Sequence, residues 1–410
     1  MLSPRALTML SAPCFLFEYE TRERYEMSMR IGKSLVVNGK TIVSQEAWNA
    51  ELGAKHQQVV EWLRSEALDG ILLKRNENVA WLTGGAVELR VLTPGETGVA
   101  SLLVTKEGGR FYLTTANEAP RLHDEEFGKL DFEPVIFPWY ADGTCEAALR
   151  LARGSVACDV PTPGFAHANL YPLRAGLQET EIERFRWLGR ETADAVTAVL
   201  KELTPGISEY AMEGQVAAAL LSRGILPSVY LMAVDERIFK YKHAVARGAR
   251  MEKYGMINLC ARKWGLTVSI TRFAHVGAVP DELQAKFHAT AQVNAALLDA
   301  SRVGTTSAEL YRVARDAYAR EGFAGDEQMH HQGGATGYWE REWVATPSGS
   351  ETVVDGEAFA WNPSVRGGKV EDTVLLRDGK IELLTPTPEL PGLESSANGT
   401  SYPATGVLVL

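Results

Sequence analysis

Apolar residues recur at helical spacing over residues 48–68, with Leu52, Val59, Val60 and Leu63 on one face. The pattern runs into Asp69-Gly70-Ile71-Leu72-Leu73, which has the character of a buried strand. Short apolar runs follow at 99–104, 111–114 and 135–137, with Pro94-Gly95 and Gly108-Gly109 between them. This alternation predicts a smaller α/β domain over 45–165. Residues 164–177 read as a connection, and 179–203 as a long, charge-rich helix stopped by Thr204-Pro205-Gly206. A second helix is expected over 208–223, then strand over 256–272 with a turn at Lys263-Trp264-Gly265. Helices are expected again over 281–301 and 306–321, the latter opened by the capping-box pair Thr306 and Glu309. Short strands fill the chain to Leu384. Strands and helices are mixed there without strict alternation, which predicts an α+β domain over 176–384.

The ends are less regular. The tail 385–410 is rich in Pro, Ser and Gly but closes on Val407-Leu408-Val409-Leu410, which suits a terminal strand. Residues 1–44 read as an extension. Within it Ser11-Ala12-Pro13-Cys14 has some likeness to a lipoprotein cleavage site, but Pro13 before the cysteine and the thin basic region around Arg5 argue against export.

Composition narrows the function classes. At 410 residues the chain exceeds what one core usually serves, hence two domains. Fifty-two acidic against 42 basic residues give a net charge of −10, and no basic cluster exists for a nucleic acid backbone. Cys14, Cys145, Cys158 and Cys260 are scattered without a CxxC pair, which suits reduced thiols in a cytoplasmic protein. No run approaches the ~18 apolar residues of a membrane span.

Three segments place polar groups inside apolar strands. In the first, Asn258 and Ser269 stand eleven residues apart in 256–272; a hairpin centred between Lys263 and Trp264 would set them opposite each other, with Thr267 and Thr271 on the face of Ser269. The second is His330-His331-Gln332-Gly333-Gly334-Ala335-Thr336-Gly337-Tyr338, whose glycines let backbone approach a ligand. The third is Trp361-Asn362-Pro363, followed by Glu371-Asp372-Thr373.

These segments resemble the peptidase M24 superfamily (creatinase, aminopeptidase P and prolidase), clearly over 179–384 and more weakly over 45–165, where Asn78-Val79-Ala80-Trp81-Leu82-Thr83-Gly84-Gly85 is similar to its N-terminal domain. The resemblance implies a C-terminal pita-bread domain. Metal-dependent members hold two cations with two Asp, one His and two Glu, and these positions fall here on Asn258, Ser269, His331, Asn362 and Glu371. Asn and Ser are weak neutral donors for a dinuclear site, so the expectation is no catalytic metal and no cofactor.

Creatinase has lost its metals, and its key histidine precedes the first of these strands; His243 has that place here. The resemblance then implies a metal-independent, homodimeric hydrolase of a C–N bond in a small carboxylate-bearing compound. His243 would act as general base and acid, supported by Glu371 and His331. Asn258, Ser269, Thr271, Asn362 and Tyr338 would line the cavity, and Arg90 and Arg341 would take the carboxylate. Thr271 departs from creatinase, which carries a glutamate there before the arginine (Arg272 here), so creatine itself is a poor fit. Three alternatives stand beside this reading: a metal-dependent Xaa-Pro peptidase with an unusual ligand set, a lyase or cyclase, and a non-catalytic pseudoenzyme. Bland roles fall to His330 as a structural neighbour and Cys260 as an inert buried thiol.

Overall fold

A computed structural model describes residues 35–37 and 40–410; the reading of the first 17 residues lies outside them. Leu35–Val37 pairs antiparallel with Lys40–Val43 ahead of the first helix. That helix, α1 (Gln45–Ser65), starts at Ser44, whose hydroxyl accepts the Ala47 N–H at 3.1 Å. The expected apolar face is buried, and Glu51, Lys55 and His56 are buried with it.

The N-terminal sheet consists of β1 (Gly70–Arg75), β2 (Thr97–Thr105), β3 (Arg110–Thr115), β4 (Glu133–Phe137), β5 (Val156–Cys158) and β6 (Ala166–His167), in the spatial order β4-β3-β2-β1-β5-β6. Asn76–Leu82, which overlaps the family-like segment 78–85, forms the short buried helix α2, and α3 (Thr144–Ala152) packs on the same sheet.

Two long helices open the C-terminal part, α4 (Glu179–Lys201) and α5 (Glu209–Leu221). The strands β7 (Leu226–Val234), β8 (Tyr254–Lys263) and β9 (Leu266–His275) form one sheet, with the short α6 (Glu236–Lys240) after β7. Helices α7 (Asp281–Ala300) and α8 (Ser307–Arg320) follow; the capping box at Thr306 and Glu309 closes in both directions. A second sheet, β10 (Gly333–Thr336), β11 (Ala358–Trp361), β14 (Asp372–Arg377) and β15 (Lys380–Leu383), has the two-stranded pair β12 (Ser364–Val365) and β13 (Gly368–Lys369) beside it. The tail returns as β16 (Val407–Val409), parallel to β9. Among the described residues no helix is long and apolar enough to cross a membrane.

The β8–β9 register corrects the expected one. The turn is Trp264-Gly265, with both central residues at positive φ (55° and 81°), as a two-residue hairpin of primed type requires. Lys263 therefore pairs with Leu266, Asn258 with Thr271 and Cys260 with Ser269. Asn258 and Ser269 share a face but stand one pair apart. Gly265 is fixed twice, because a Cβ there would come 2.4 Å from Ala80 Cβ of α2. The two C-terminal sheets meet where Thr271 bridges Glu371 and the Thr373 hydroxyl donates to the Ser269 carbonyl at 3.0 Å.

The N-terminal part is docked onto α4 through buried charge. Lys55 Nζ donates to Glu51 at 2.6 Å, Glu181 at 2.8 Å and the Trp81 carbonyl at 3.0 Å. Arg184 forks onto both Glu51 oxygens at 2.9 and 2.6 Å. Tyr338 belongs to this network: its hydroxyl donates to Glu181 at 2.5 Å and it is fully buried. Its expected place in the substrate cavity is thus corrected, because the buried Glu181 carboxylate and Lys55 hold its hydroxyl the other way.

A second buried carboxylate gives a pH-dependent expectation. Glu357 accepts from Trp343 Nε1 at 2.9 Å, the Val354 N–H at 3.0 Å and the Tyr171 hydroxyl, with Glu342 as a like-charged neighbour. Burial pushes its carboxyl up to about 7. A folded-state value above the unfolded one stabilises most at low pH, and the benefit is lost as pH rises from about 4.5 through about 7. Glu357→Gln should therefore gain on the parent as pH rises from 5 to 8, by on the order of 2 kcal/mol. Thermal midpoints at those pH values check it; parallel curves for the two proteins refute it.

Candidate active site

Glu371 sits just ahead of β14 at the junction of the sheets and is 2% exposed. Its Oε1 accepts from Arg341 Nη2 at 3.0 Å, and its Oε2 accepts from Lys369 Nζ at 3.0 Å, Asn258 Nδ2 and the Thr271 hydroxyl. Burial alone would raise this carboxyl, but Lys369 and Arg341 outweigh it and hold it near 2. Arg341 spans further: Nη1 donates to Ser269 Oγ at 2.9 Å and to the Glu340 carbonyl at 2.6 Å, while its buried Nε has no partner among the described residues. Asn362 lies after β11, with its backbone N–H on the Gln332 carbonyl at 2.9 Å and its buried Oδ1 unpartnered. Cys260 faces Ser269 Oγ at 3.2 Å, and burial pushes its thiol up to about 11, which keeps it unreactive.

Beside this charged knot stands a cluster of imidazoles. His243, on the loop after α6, points Nε2 at His330 Nε2 across 2.8 Å. His330 and His331 stack with ring centroids 4.3 Å apart. His330 Nδ1 lies 2.5 Å from the His331 carbonyl oxygen, which can only accept. That fixes the His330 proton on Nδ1, so its Nε2 lone pair receives a proton from His243. His331 Nδ1 accepts the Gly333 N–H at 3.2 Å. Burial, aided by Lys369, lowers His330 to about 3; burial with Arg341 lowers His331 to about 4; His243 is lowered by the same causes.

The structure thus brings together His243, His331, Glu371, Asn258, Ser269, Thr271 and Arg341. It leaves out Tyr338, as above, and Arg90, which lies on the loop after α2 with its backbone N–H on Glu88 and joins none of the cluster's hydrogen bonds. Two residues of the site were missed. Lys369 stands two positions before Glu371, a same-face spacing in extended chain that could have been read. His330 was taken as a neighbour, and only its 2.8 Å contact shows otherwise. Arg341 also lines a cavity of about 370 Å³ between the two parts of the chain, with Arg75, Asn78, Tyr171, Arg174 and Trp339.

An N-terminal α/β unit on a C-terminal domain whose two sheets join at an acid–imidazole site defines the pita-bread fold class. The metallopeptidase family M24 model matches residues 183–378, and the creatinase/prolidase N-terminal domain model matches 55–158. The chain belongs to the peptidase M24 superfamily. It is 22% identical over 360 residues to an Xaa-Pro dipeptidase of Pyrococcus horikoshii, covering 82% of this chain and 98% of that one. Among solved structures it is similar to a prolidase from Pyrococcus horikoshii (TM-score 0.66, 20% identity, 82% of this chain and 98% of that one). It is also similar to dipeptidase PepE from Mycobacterium ulcerans (TM-score 0.70, 16% identity, 88% and 99%).

These relatives overturn the expectation of a metal-independent, creatinase-like hydrolase of non-peptide C–N bonds: they are dipeptidases and prolidases over nearly their full length. The expectation rested on missing ligands, and missing ligands speak of where an ion sits rather than which bond is cut. The family's metal positions themselves do not fit a pair of divalent cations. Asn258 offers its N–H to Glu371 rather than an oxygen outward, Ser269 is held by Arg341, and both Glu371 oxygens are occupied by Arg341 and Lys369. Two built-in cations already stand where the dications would need free carboxylate oxygens.

Proposed function

We propose that this chain is a peptidase acting on short peptides of the Xaa-Pro dipeptide class. One observation carries the reading: Arg341 is shared between the Glu371–histidine cluster and the interdomain cavity. A substrate carboxylate in that cavity meets the guanidinium side chain of Arg341, which lines it. The cavity volume of about 370 Å³ suits a small ligand. Glu371 and Lys369 hold Arg341 in place, and the His243–His330 pair passes one proton between two nitrogens, the equipment for protonating a leaving amine. The full-length similarity to Xaa-Pro dipeptidases supports the same substrate class.

Free proline is the readout. The chain should release it from Leu-Pro, Met-Pro or Gly-Pro, tested with and without added Mn²⁺, Co²⁺ or Zn²⁺, and should leave creatine intact. Absence of proline from every dipeptide under every condition overturns the proposal. A homodimer belongs to the same reading, supported by exposed Val91 and Leu92 beside Arg90 and by exposed Trp139 and Tyr140. Light scattering at twice 44.9 kDa would bear that out. A cytoplasmic setting is supported by the free thiols of Cys145, Cys158 and Cys260.

A further inference from the structure

We infer that His243, His330 and His331 form a binding site for one divalent transition-metal ion of the zinc class, set beside the family's dinuclear positions and sharing only His331 with them. One ligand nitrogen from each imidazole lies within 4.8 Å of the other two, the packing of a three-histidine site that leaves a fourth position open. No carboxylate is needed to complete such a site, which answers the occupied state of Glu371.

Ring orientation supports the assignment. His330 spends its Nδ1 proton on the His331 carbonyl, the outer hydrogen bond that metal-binding histidines commonly make, and this leaves Nε2 as a lone pair. That lone pair faces His243 Nε2 at 2.8 Å. Two nitrogens can sit so close only because a proton lies between them. A cation takes the place of that proton: this one ring hydrogen of His243 moves to its Nδ1, and both Nε2 atoms turn to the ion. Metal–nitrogen bonds of ~2.0–2.1 Å in tetrahedral geometry need nitrogens ~3.4 Å apart, so the rings must separate by a little over half an ångström. His243 and His331 keep much of their surface in solvent although their rings are partly desolvated, which leaves them room to move. His331 is the conditional third ligand, since using Nε2 means giving up the 3.2 Å contact of its Nδ1 with the Gly333 N–H. Lys369 and Arg341 lie within electrostatic reach and oppose a dication, but Glu371 engages both and solvent at the exposed rings screens the remainder. Micromolar rather than nanomolar affinity is therefore expected.

Cobalt(II) reports the site directly, without reference to activity. The full-length chain, stripped with chelator and dialysed, is titrated with Co²⁺ alone and followed by visible absorption and by calorimetry. One equivalent per chain with the intense band of a four-coordinate ion is expected. His243→Ala and His330→Ala should each weaken binding by about 100-fold or more, while the distant His123→Ala binds as the parent does and Glu371→Gln, which unmasks Lys369 and Arg341, weakens binding less than either histidine variant. Two equivalents abolished by Glu371→Gln but kept in His243→Ala would place the ions at the family's positions and overturn the inference. So would an absence of binding, or binding unchanged in both histidine variants whose melting temperatures match the parent.

Discussion

Replacing Glu51 with alanine should lower the unfolding free energy by about 3–5 kcal/mol, because it leaves Lys55 short of one partner and Arg184 without its carboxylate in the buried interior. Glu51 is 2% exposed and Lys55 is fully buried. Burial pushes the Glu51 carboxyl up, yet Lys55 and Arg184 more than reverse this and hold it near 2. With the folded-state value below the unfolded one, the stabilisation is complete above about 4.5 and is lost as pH falls towards 2. The parent should therefore lose stability in that window more steeply than the variant. Urea unfolding followed by tryptophan fluorescence at pH 7 and pH 3 measures both effects. A loss below about 1 kcal/mol at pH 7 would mean that the network is solvated and does not dock the two parts of the chain. The contrast with the surface pair Lys240–Glu236, whose removal should change little, makes burial the deciding variable.

Under the proposed function, Arg341→Met should reduce kcat/KM for Xaa-Pro dipeptides by about 100-fold or more, the equivalent of losing roughly 3 kcal/mol of charge-assisted hydrogen bonding to a carboxylate. Methionine preserves much of the apolar stem, and Lys369 remains on Glu371 at 3.0 Å, so the buried carboxylate keeps a counter-charge and the fold should persist. Discrimination comes from the substrate. Peptides ending in a carboxamide offer no negative charge to Arg341, and the variant should process them nearly as the parent does. Equal losses for acid and amide substrates would show that Arg341 only braces Glu371 and Ser269 and does not meet the substrate.

The periodicity of the chain was enough for much of the architecture. Expected helices at 179–203, 281–301 and 306–321 appear as Glu179–Lys201, Asp281–Ala300 and Ser307–Arg320, because long apolar stripes with capping residues are locally encoded. The β8–β9 hairpin was recognised, but its register was misread by two residues. Turn placement depends on which residues take positive φ, and here they are Trp264 and Gly265, the latter without room for a Cβ against Ala80 and Tyr338. Family likeness named His243, His331, Glu371 and Arg341 but missed Lys369 and undervalued His330. A residue's partners are set by chain segments far away in sequence, as with the 87 positions between His243 and His330.

What the sequence alone determined is therefore the superfamily and the order of elements, and through the resemblance it set the expectation that Asn258, Ser269 and Asn362 stand where the family has carboxylates. What only the tertiary structure decided is what replaces them. It shows Glu371 tied to two cations, Tyr338 and Lys55 drawn into the interdomain lock, and three imidazoles gathered beside the site. The reason is physical: hydrophobic periodicity is a local property of the chain, whereas the protonation and pairing of a buried polar group depend on charges and hydrogen bonds that folding alone brings within about 3–4 Å.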